Sequence, residues 1–322
     1  MRAALVHSYD HPPRYGEAPE PVPGPGQVVV DVLTAALHPL VRSRASGRHY
    51  SSRGAVLPVV PGVDGVGRMP DGRLVFFTAF GSGGTMAQRV AVDRSASVPL
   101  PADSRIDQDP SVIAVAVNPA MSGWLAMRTR AVLRAGERVL VLGATGAAGR
   151  AAVQIAGHLG ATVVAAGRNA EVLARLGADA TVSLEPAPGT EPDPVAAALA
   201  EYAADVDVVV DYVWGPQTQR ALAAVLNARP DPAKPLRWVQ VGATAGPDIT
   251  LPGAVLRSSA LQLTGSGIGS IDPTTMTAEL TELLAAIVAI PPTTVPESIP
   301  LADVEQAWTT EPPNGRRIVF HP

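Results

Sequence analysis

The most regular patterning in the chain begins at Glu137, where short runs of Val and Leu alternate with Ala-rich stretches of helical period. Strands are predicted at Arg138 to Leu142, Thr162 to Ala166, Asp207 to Val213, Trp238 to Val241 and Leu261 to Thr264, with a weaker one at Thr181 to Leu184. Several are near-continuous apolar runs, as strands covered on both faces require, and their alternation with helices marks a parallel sheet built from βαβ units. Residues 1 to 118 read differently. Turn signals such as Pro23-Gly24-Pro25-Gly26, Pro61-Gly62 and Pro70-Asp71-Gly72 break them up, and strands are predicted at Gln27 to Val32, Arg73 to Phe77 and Ala87 to Val92. After Gly265 the pattern predicts a helix over Thr274 to Ile290, a Pro-rich linker over Pro291 to Pro300, a short helix over Leu301 to Trp308 and a closing strand over Arg317 to Phe320. That tail is too short for a core of its own. It is assigned to the β-rich part, so that residues 1–118 and 266–322 make one domain with an α/β domain, 119–265, inserted between them.

The α/β region opens on Val139-Leu140-Val141-Leu142-Gly143-Ala144-Thr145-Gly146-Ala147-Ala148-Gly149, a buried strand running through small residues into a helix. Small side chains at Gly143, Ala144 and Gly146 let the backbone turn tightly and approach a pyrophosphate, while Gly149 permits close packing of the helix. Thr145 completes the turn, and the helix start at Ala147 and Ala148 presents free N–H groups to the phosphates. That helix should bury Ala148, Ala152, Ile155 and Leu159 and stop at Gly160. A tight turn in any α/β protein would look similar. Its place after a strand, before a helix and within a βαβ unit selects the dinucleotide-binding Rossmann reading.

The second strand indicates which dinucleotide. It ends at Gly167-Arg168-Asn169, with no acid before Glu171 to take a ribose 2′-hydroxyl. Arg168 can pair with a 2′-phosphate and Asn169 can donate to it, so NADP is the expected cofactor. Arg168 as an ordinary solvated side chain stays open as the alternative.

Composition narrows the rest. A length of 322 residues favours two cores, and a net charge of −4 without a single-sign block gives no electrostatic footprint for nucleic acid. No window approaches the roughly 20 apolar residues that span a bilayer, and the start lacks a signal-peptide pattern, so a cytoplasmic protein without a membrane partner is expected. The chain has no cysteine, which excludes disulfides, thiol nucleophiles and every Cys-based zinc site.

With this centre in place, the flanks resemble the medium-chain dehydrogenase/reductase superfamily, in its zinc-free, quinone oxidoreductase-like branch. The resemblance covers nearly the whole chain and rests on Leu37-His38-Pro39-Leu40-Val41-Arg42-Ser43, Pro61-Gly62-Val63-Asp64-Gly65-Val66-Gly67, Gly72-Arg73-Leu74-Val75-Phe76, Asn118-Pro119-Ala120-Met121-Ser122-Gly123-Trp124, Val241-Gly242 and Gly315-Arg316-Arg317-Ile318-Val319. It implies a GroES-like catalytic domain, the inserted Rossmann domain and a cofactor in the cleft between them. The slots that hold catalytic zinc elsewhere in the superfamily are His38, Val63, Asp64 and Asn118 here, so no metal is expected. By the same resemblance Asn118 and Ser122 lie along the nicotinamide half. Val213, Val241, Gly242, Gly265, Ser266 and Gly267 follow strand ends, where open α/β sheets bind ligands. Turn chemistry alone would account equally well for Gly242 and Gly265.

His38 stands where the branch commonly has Asn. It has two readings: an imidazole that hydrogen-bonds the cofactor or protonates substrate, and a structural histidine capping a turn before Pro39. Tyr50 is a second proton-donor candidate or a packing residue. Val41 and Leu184 replace an aspartate and an aromatic of the family. The expected activity is hydride transfer from NADPH to a small electrophile, a quinone or an α,β-unsaturated carbonyl, in a homodimer paired along the Leu261 to Thr264 edge. An NADPH-binding sensor without turnover and a zinc-free carbonyl or imine reductase of secondary metabolism are the alternatives.

Overall fold

A computed structural model of the chain describes residues 1–52, 54–80, 83–101, 109–185, 193–267, 269–313 and 315–322, with the Tyr50 side chain outside that description. The fold divides into two units, Met1–Asn118 with Pro273–Pro322, and Pro119–Asp272.

In the first unit, β1 (Arg2–Leu5) and β2 (Arg14–Glu17) form a small antiparallel sheet. The long strand β3 (Gln27–Ala36) centres a seven-stranded sheet and pairs antiparallel with β4 (Asp64–Arg68) and β6 (Arg89–Asp93). β4 pairs with β5 (Leu74–Thr78), and β5 with β7 (Ser97–Pro99). Val28, Val30 and Val32 on β3 point into a core shared with Val75, Phe77, Val90 and Val92. The β3–β4 register shifts between Val32 and Thr34, and β3 runs four residues past its predicted end, delivering the chain to helix α1 (Pro39–Ala45). β4 lies tight against it. A Cβ on Gly65 would stand 2.7 Å from the Thr34 carbonyl oxygen, and one on Gly67 2.6 Å from that of Asp31, so both positions need glycine.

Helix α2 (Pro110–Leu125) carries the chain from one unit into the other. Together with the turn that continues it, it forms a 21-residue stretch holding an 18-residue window of mean hydropathy 1.2, long and apolar enough to cross a bilayer. The sequence reading expected no such window. Because 67% of it is buried within the fold, it is a core helix whose apolar surface faces protein.

The second unit is a six-stranded parallel sheet of β8 (Arg138–Leu142), β9 (Thr162–Gly167), β10 (Ala180–Ser183), β11 (Val208–Asp211), β12 (Leu236–Gln240) and β13 (Leu261–Gly265). Their order, β10-β9-β8-β11-β12-β13, is that of a doubly wound dinucleotide-binding sheet, with helix α3 (Ala147–His158) leaving β8. Trp238, Leu140, Leu142, Leu199 and Val225 build its core.

The chain then returns to the first unit through a helix, Pro273–Ile287, and ends in β14 (Val295–Pro300), the short helix Val304–Trp308 and β15 (Arg316–His321). The predicted Pro-rich linker is therefore half strand. β14 occupies the outer edge of the sheet, paired parallel to β15 on one side only, and prolines are tolerated there because the free edge needs no ladder donors.

Candidate functional site

The turn after β8 is held by its own backbone. Gly143 takes φ +87°, and the N–H groups of Gly143 and Ala144 both donate to the Ala166 carbonyl at 2.9 Å, which ties the turn to β9. A Cβ on Gly149 would sit 2.1 Å from the Gly143 oxygen and 2.7 Å from Ala144 Cα. Gly149 therefore lets α3 begin directly beneath the turn. Gly146 is the N-cap of α3 and offers no side chain, so the first-turn N–H groups of Ala147, Ala148 and Gly149 have no intrahelical acceptor, the condition under which a helix N-terminus can take an anion. Thr145 leans on Gly167, where a Cβ would come within 2.5 Å of Thr145 Cγ2. The buried face of α3 is broader than predicted. Gly149, Ala151, Ala152, Val153, Ile155 and Ala156 are buried, while Ala148 and Leu159 are only half-buried, because the helix packs on a twisted sheet along more than one row.

At the end of β9, Arg168 and Asn169 are exposed. Among the described residues the Arg168 guanidinium has no hydrogen bond or ion pair. Asn169 has a role the sequence reading missed: its Oδ1 accepts from Val172 N at 3.0 Å and caps the short helix Ala170–Leu173. Its amide N–H groups remain donors. The nearest acid, Glu171, faces Arg175 at 2.7 Å. Leu184 packs into the sheet core instead of covering a surface.

The other strand ends are organised by Asp211, which the sequence reading did not select. Fully buried at the end of β11, it accepts four hydrogen bonds. Oδ1 takes the N–H groups of Val213 (2.8 Å) and Trp214 (3.0 Å), and Oδ2 takes Thr218 Oγ1 (2.7 Å) and Trp238 Nε1 (3.0 Å). These bonds end the strand two residues before its predicted limit at Val213 and hold Trp214 at φ +54°. The Asp211 carbonyl accepts from Val241 N (2.7 Å) and Gly242 N (3.1 Å), and a Cβ on Gly242 would meet the Tyr212 oxygen at 2.8 Å. Ser266 N donates to Gln240 at 2.8 Å, and Gly267 N to Ser270 Oγ at 2.9 Å. The backbone donors of Val241, Gly242, Ser266 and Gly267 are thus engaged in joining the loops to one another. Tyr212 is buried with its hydroxyl 3.2 Å from Ser122 Oγ, and burial pushes its phenol above the ordinary value. Ser122 also donates to the Pro119 carbonyl at 2.9 Å.

In the first unit the end of β3, the start of β4 and helix α2 bring His38, Asp64 and Asn118 together. His38 is 1% and Asp64 2% exposed, with His38 Nε2 3.2 Å from Asp64 Oδ1. The two atoms face each other without an aligned hydrogen bond, and neither has another partner. Asn118 Nδ2 donates to Asp64 Oδ2 at 2.6 Å, so the amide expected along a nicotinamide anchors a carboxylate. His38 occupies the N-cap position of α1, with Pro39 following; its carbonyl takes the N–H groups of Val41 and Arg42, while its ring makes no capping bond. The ring turns inward because Asp64 is the acceptor within reach. The Tyr50 side chain lies outside the described residues. Among the described residues no three His, Cys, Asp or Glu side chains converge on a point that could hold a metal ion.

No family model matches the chain. Over the full length of both proteins it is 33% identical to a probable NADPH-dependent quinone reductase, tdiC, of Emericella nidulans. Among solved structures, the quinone oxidoreductase of Thermus thermophilus, crystallised also with NADPH, matches at 26% identity and TM-score 0.74, with all of both chains covered. A mycobacterial quinone oxidoreductase shares the fold at TM-score 0.81 and 22% identity, again over the whole of both chains.

Proposed function

The chain belongs to the quinone oxidoreductase-like branch of the medium-chain dehydrogenase/reductase superfamily, and from that membership we propose that it is an NADPH-dependent, zinc-independent reductase of quinones or α,β-unsaturated carbonyls. The observation that carries the cofactor assignment is the end of β9, where Arg168 stands exposed and, among the described residues, unpartnered, with no carboxylate in the sequence position that would select NAD. The turn fits a pyrophosphate because Gly143 and Gly149 leave the space a Cβ would fill and the first turn of α3 leaves its N–H groups free.

NADPH, when bound, supplies a hydride, and an electron-poor acceptor takes it with one proton to give the reduced product and NADP⁺. The chain's own part is to bind and to orient. Arg168 would hold the 2′-phosphate with charge-assisted hydrogen bonds, and the N–H groups of Ala147 and Ala148 would hold the pyrophosphate. His38 holds a polar contact backed by Asp64 and Asn118. The zinc of other superfamily members does not fit this donor set. There is no thiolate in the chain, Val63 is apolar, and the Asp64 carboxylate is already shared between an amide and an imidazole. A conjugated acceptor spreads its developing charge and does not need that Lewis acid. The exposed β13 edge, Leu261–Gly265, supports a dimer that continues the sheet.

The test pairs binding with turnover. Wild-type protein should bind NADPH more tightly than NADH and oxidise it in the presence of quinones or enals. Arg168→Ala should weaken NADPH roughly ten- to a hundredfold, the value of hydrogen bonds to a charged group, and leave NADH nearly unchanged. Equal loss for both cofactors would refute the assignment of Arg168. NADPH binding without oxidation by any acceptor of the panel would refute the reductase reading.

A further inference from the structure

A cavity of about 400 Å³ lies within the first unit, walled by α1, by Ser52, Ala55 and Pro58 to Val63, and by Ala79, Phe80, Gly83 and Gly84. That size is within the range of small-molecule sites. Its lining is mostly apolar, with Val41, Val63, Tyr9 and Phe80 among the walls, and among the described residues it contains one charged side chain, Arg44. The walls are built in place. Tyr9 packs over Gly47, where a Cβ would come within 2.9 Å of its ring, and its hydroxyl donates to the Ser52 carbonyl at 3.4 Å. Ser52 Oγ in turn donates to the Arg44 carbonyl at 2.9 Å.

The Arg44 guanidinium is half-buried, and among the described residues it has neither a hydrogen bond nor an acid to pair with. No Asp or Glu is found among the described residues that line the cavity. Burial lowers the Arg44 pKa from the ordinary arginine value with no carboxylate to offset it, and the charge of Arg44 in turn lowers the pKa of His49, after burial the larger cause. The neighbouring arginines are engaged elsewhere. Arg42 donates to the Thr310 carbonyl at 2.8 Å, and Arg48 Nε to Ser46 Oγ at 2.9 Å. The sequence carries the same bias: no acid occurs between Asp31 and Asp64, a stretch holding Arg42, Arg44, Arg48, Arg53, His38 and His49 in a chain of net charge −4. The His38–Asp64 pair adjoins the cavity along the chain, since Val41 lies one turn from His38 on α1 and Val63 immediately precedes Asp64.

A half-buried guanidinium in an apolar wall, with no acid beside it among the described residues, can take an anionic partner. We propose that this cavity binds a flat apolar ring system carrying a delocalised oxyanion, a carboxylate or an ionised enol, with Arg44 as its counter-ion. The substrate class follows, resting on the reductase reading above: an acidic, ring-hydroxylated quinone or an aryl acid bearing a conjugated carbonyl, preferred over its neutral analogue. Guanidinium matches a two-oxygen anion in geometry, and low polarity around it strengthens the pair.

Two probe sets test this. In turnover, 2-hydroxy-1,4-naphthoquinone, ionised at neutral pH, is compared with 2-methoxy-1,4-naphthoquinone, which is neutral and of similar shape. In direct binding by calorimetry, 2-naphthoate is titrated into the full chain without NADPH. Arg44→Gln should lower kcat/KM for the hydroxyquinone roughly tenfold or more relative to the methoxyquinone and weaken naphthoate by a similar factor, while Arg44→Lys keeps part of both. In the unaltered protein, raised salt should weaken naphthoate and leave the methoxyquinone KM in place. A wild type that favours the methoxyquinone, or naphthoate binding that ignores both Arg44→Gln and salt, overturns the proposal. Arg44-dependent naphthoate binding in a protein that reduces neither quinone supports the anion site and refutes only the reductase reading.

Discussion

Replacing Asp211 by Asn changes one atom and tests whether this carboxylate organises the strand ends. The side chain is fully buried with four donors aimed at it: the N–H groups of Val213 and Trp214 on Oδ1, and Thr218 Oγ1 and Trp238 Nε1 on Oδ2. An amide cannot serve them all. With Nδ2 at the Oδ1 position, it opposes two backbone N–H groups that cannot turn away. With Nδ2 at the Oδ2 position, Thr218 can rotate its hydroxyl to accept, but the indole N–H of Trp238 is left buried without a partner. The second arrangement costs less, and it still loses one charge-assisted bond, orphans one donor and weakens the remaining two bonds to neutral strength. Hydrogen bonds to charged groups contribute about 1.5 to 3 kcal/mol and an orphaned buried donor costs about 1 to 3 kcal/mol, so Asp211→Asn should destabilise the second unit by about 3 to 5 kcal/mol. For a domain of this size that corresponds to a fall in melting temperature of about 6 to 20 °C, read by calorimetry. Thr218→Val, which removes a single donor, should cost about half as much. An Asp211→Asn protein melting within about 2 °C of the parent would refute the reasoning.

Gly149→Ala should lower NADPH affinity by roughly tenfold or more in a fluorescence titration, because its Cβ meets the Gly143 carbonyl at 2.1 Å and the turn must open to admit it. Affinity within twofold of the parent would mean that the turn yields without cost. Metal analysis of the purified protein should find no stoichiometric zinc, and chelation should leave turnover intact. One tightly held zinc per chain would overturn the reading of His38, Asp64 and Asn118 as a metal-free trio. Light scattering at micromolar concentration should report a dimer, and Gln262→Lys, at an exposed position of the β13 edge, should shift it toward monomer.

The α/β unit was legible because its signals are local. Each buried strand is a run of apolar residues, and the turn chemistry at Gly143 to Gly149 is complete within one short segment. The β-rich unit was less so. β4 holds Gly65 and Gly67, which weaken any strand signal and are explained only by the approach of Thr34 and Asp31 on another strand. β14 looks like a linker because its prolines are acceptable only at a sheet edge, and edge position is a property of the assembled sheet. Asp211 could have been suspected as a lone acid closing the run Val208-Val209-Val210, but its donors include Trp238, 27 residues further on. The acid-free stretch around Arg44 was equally visible. That Arg44 lacks a partner among the described residues, where Arg42 and Arg48 have one, is a fact of packing.

The geometry also separates the two chemical roles open to His38. Asn118 occupies Asp64 Oδ2, which leaves Oδ1 as the acceptor facing His38 Nε2 at 3.2 Å. A carboxylate oxygen there favours the tautomer with its hydrogen on Nε2. In the neutral ring the other nitrogen, Nδ1, is then an acceptor. An acceptor at Nδ1 can take a hydrogen bond from a hydroxyl, as a positioning contact to a cofactor ribose or a substrate would require, but it has no proton to give. Proton delivery from Nδ1 would need the doubly protonated ring. With the ring neutral, His38 would therefore orient a hydroxyl, with Asp64 and Asn118 fixing which nitrogen carries the hydrogen.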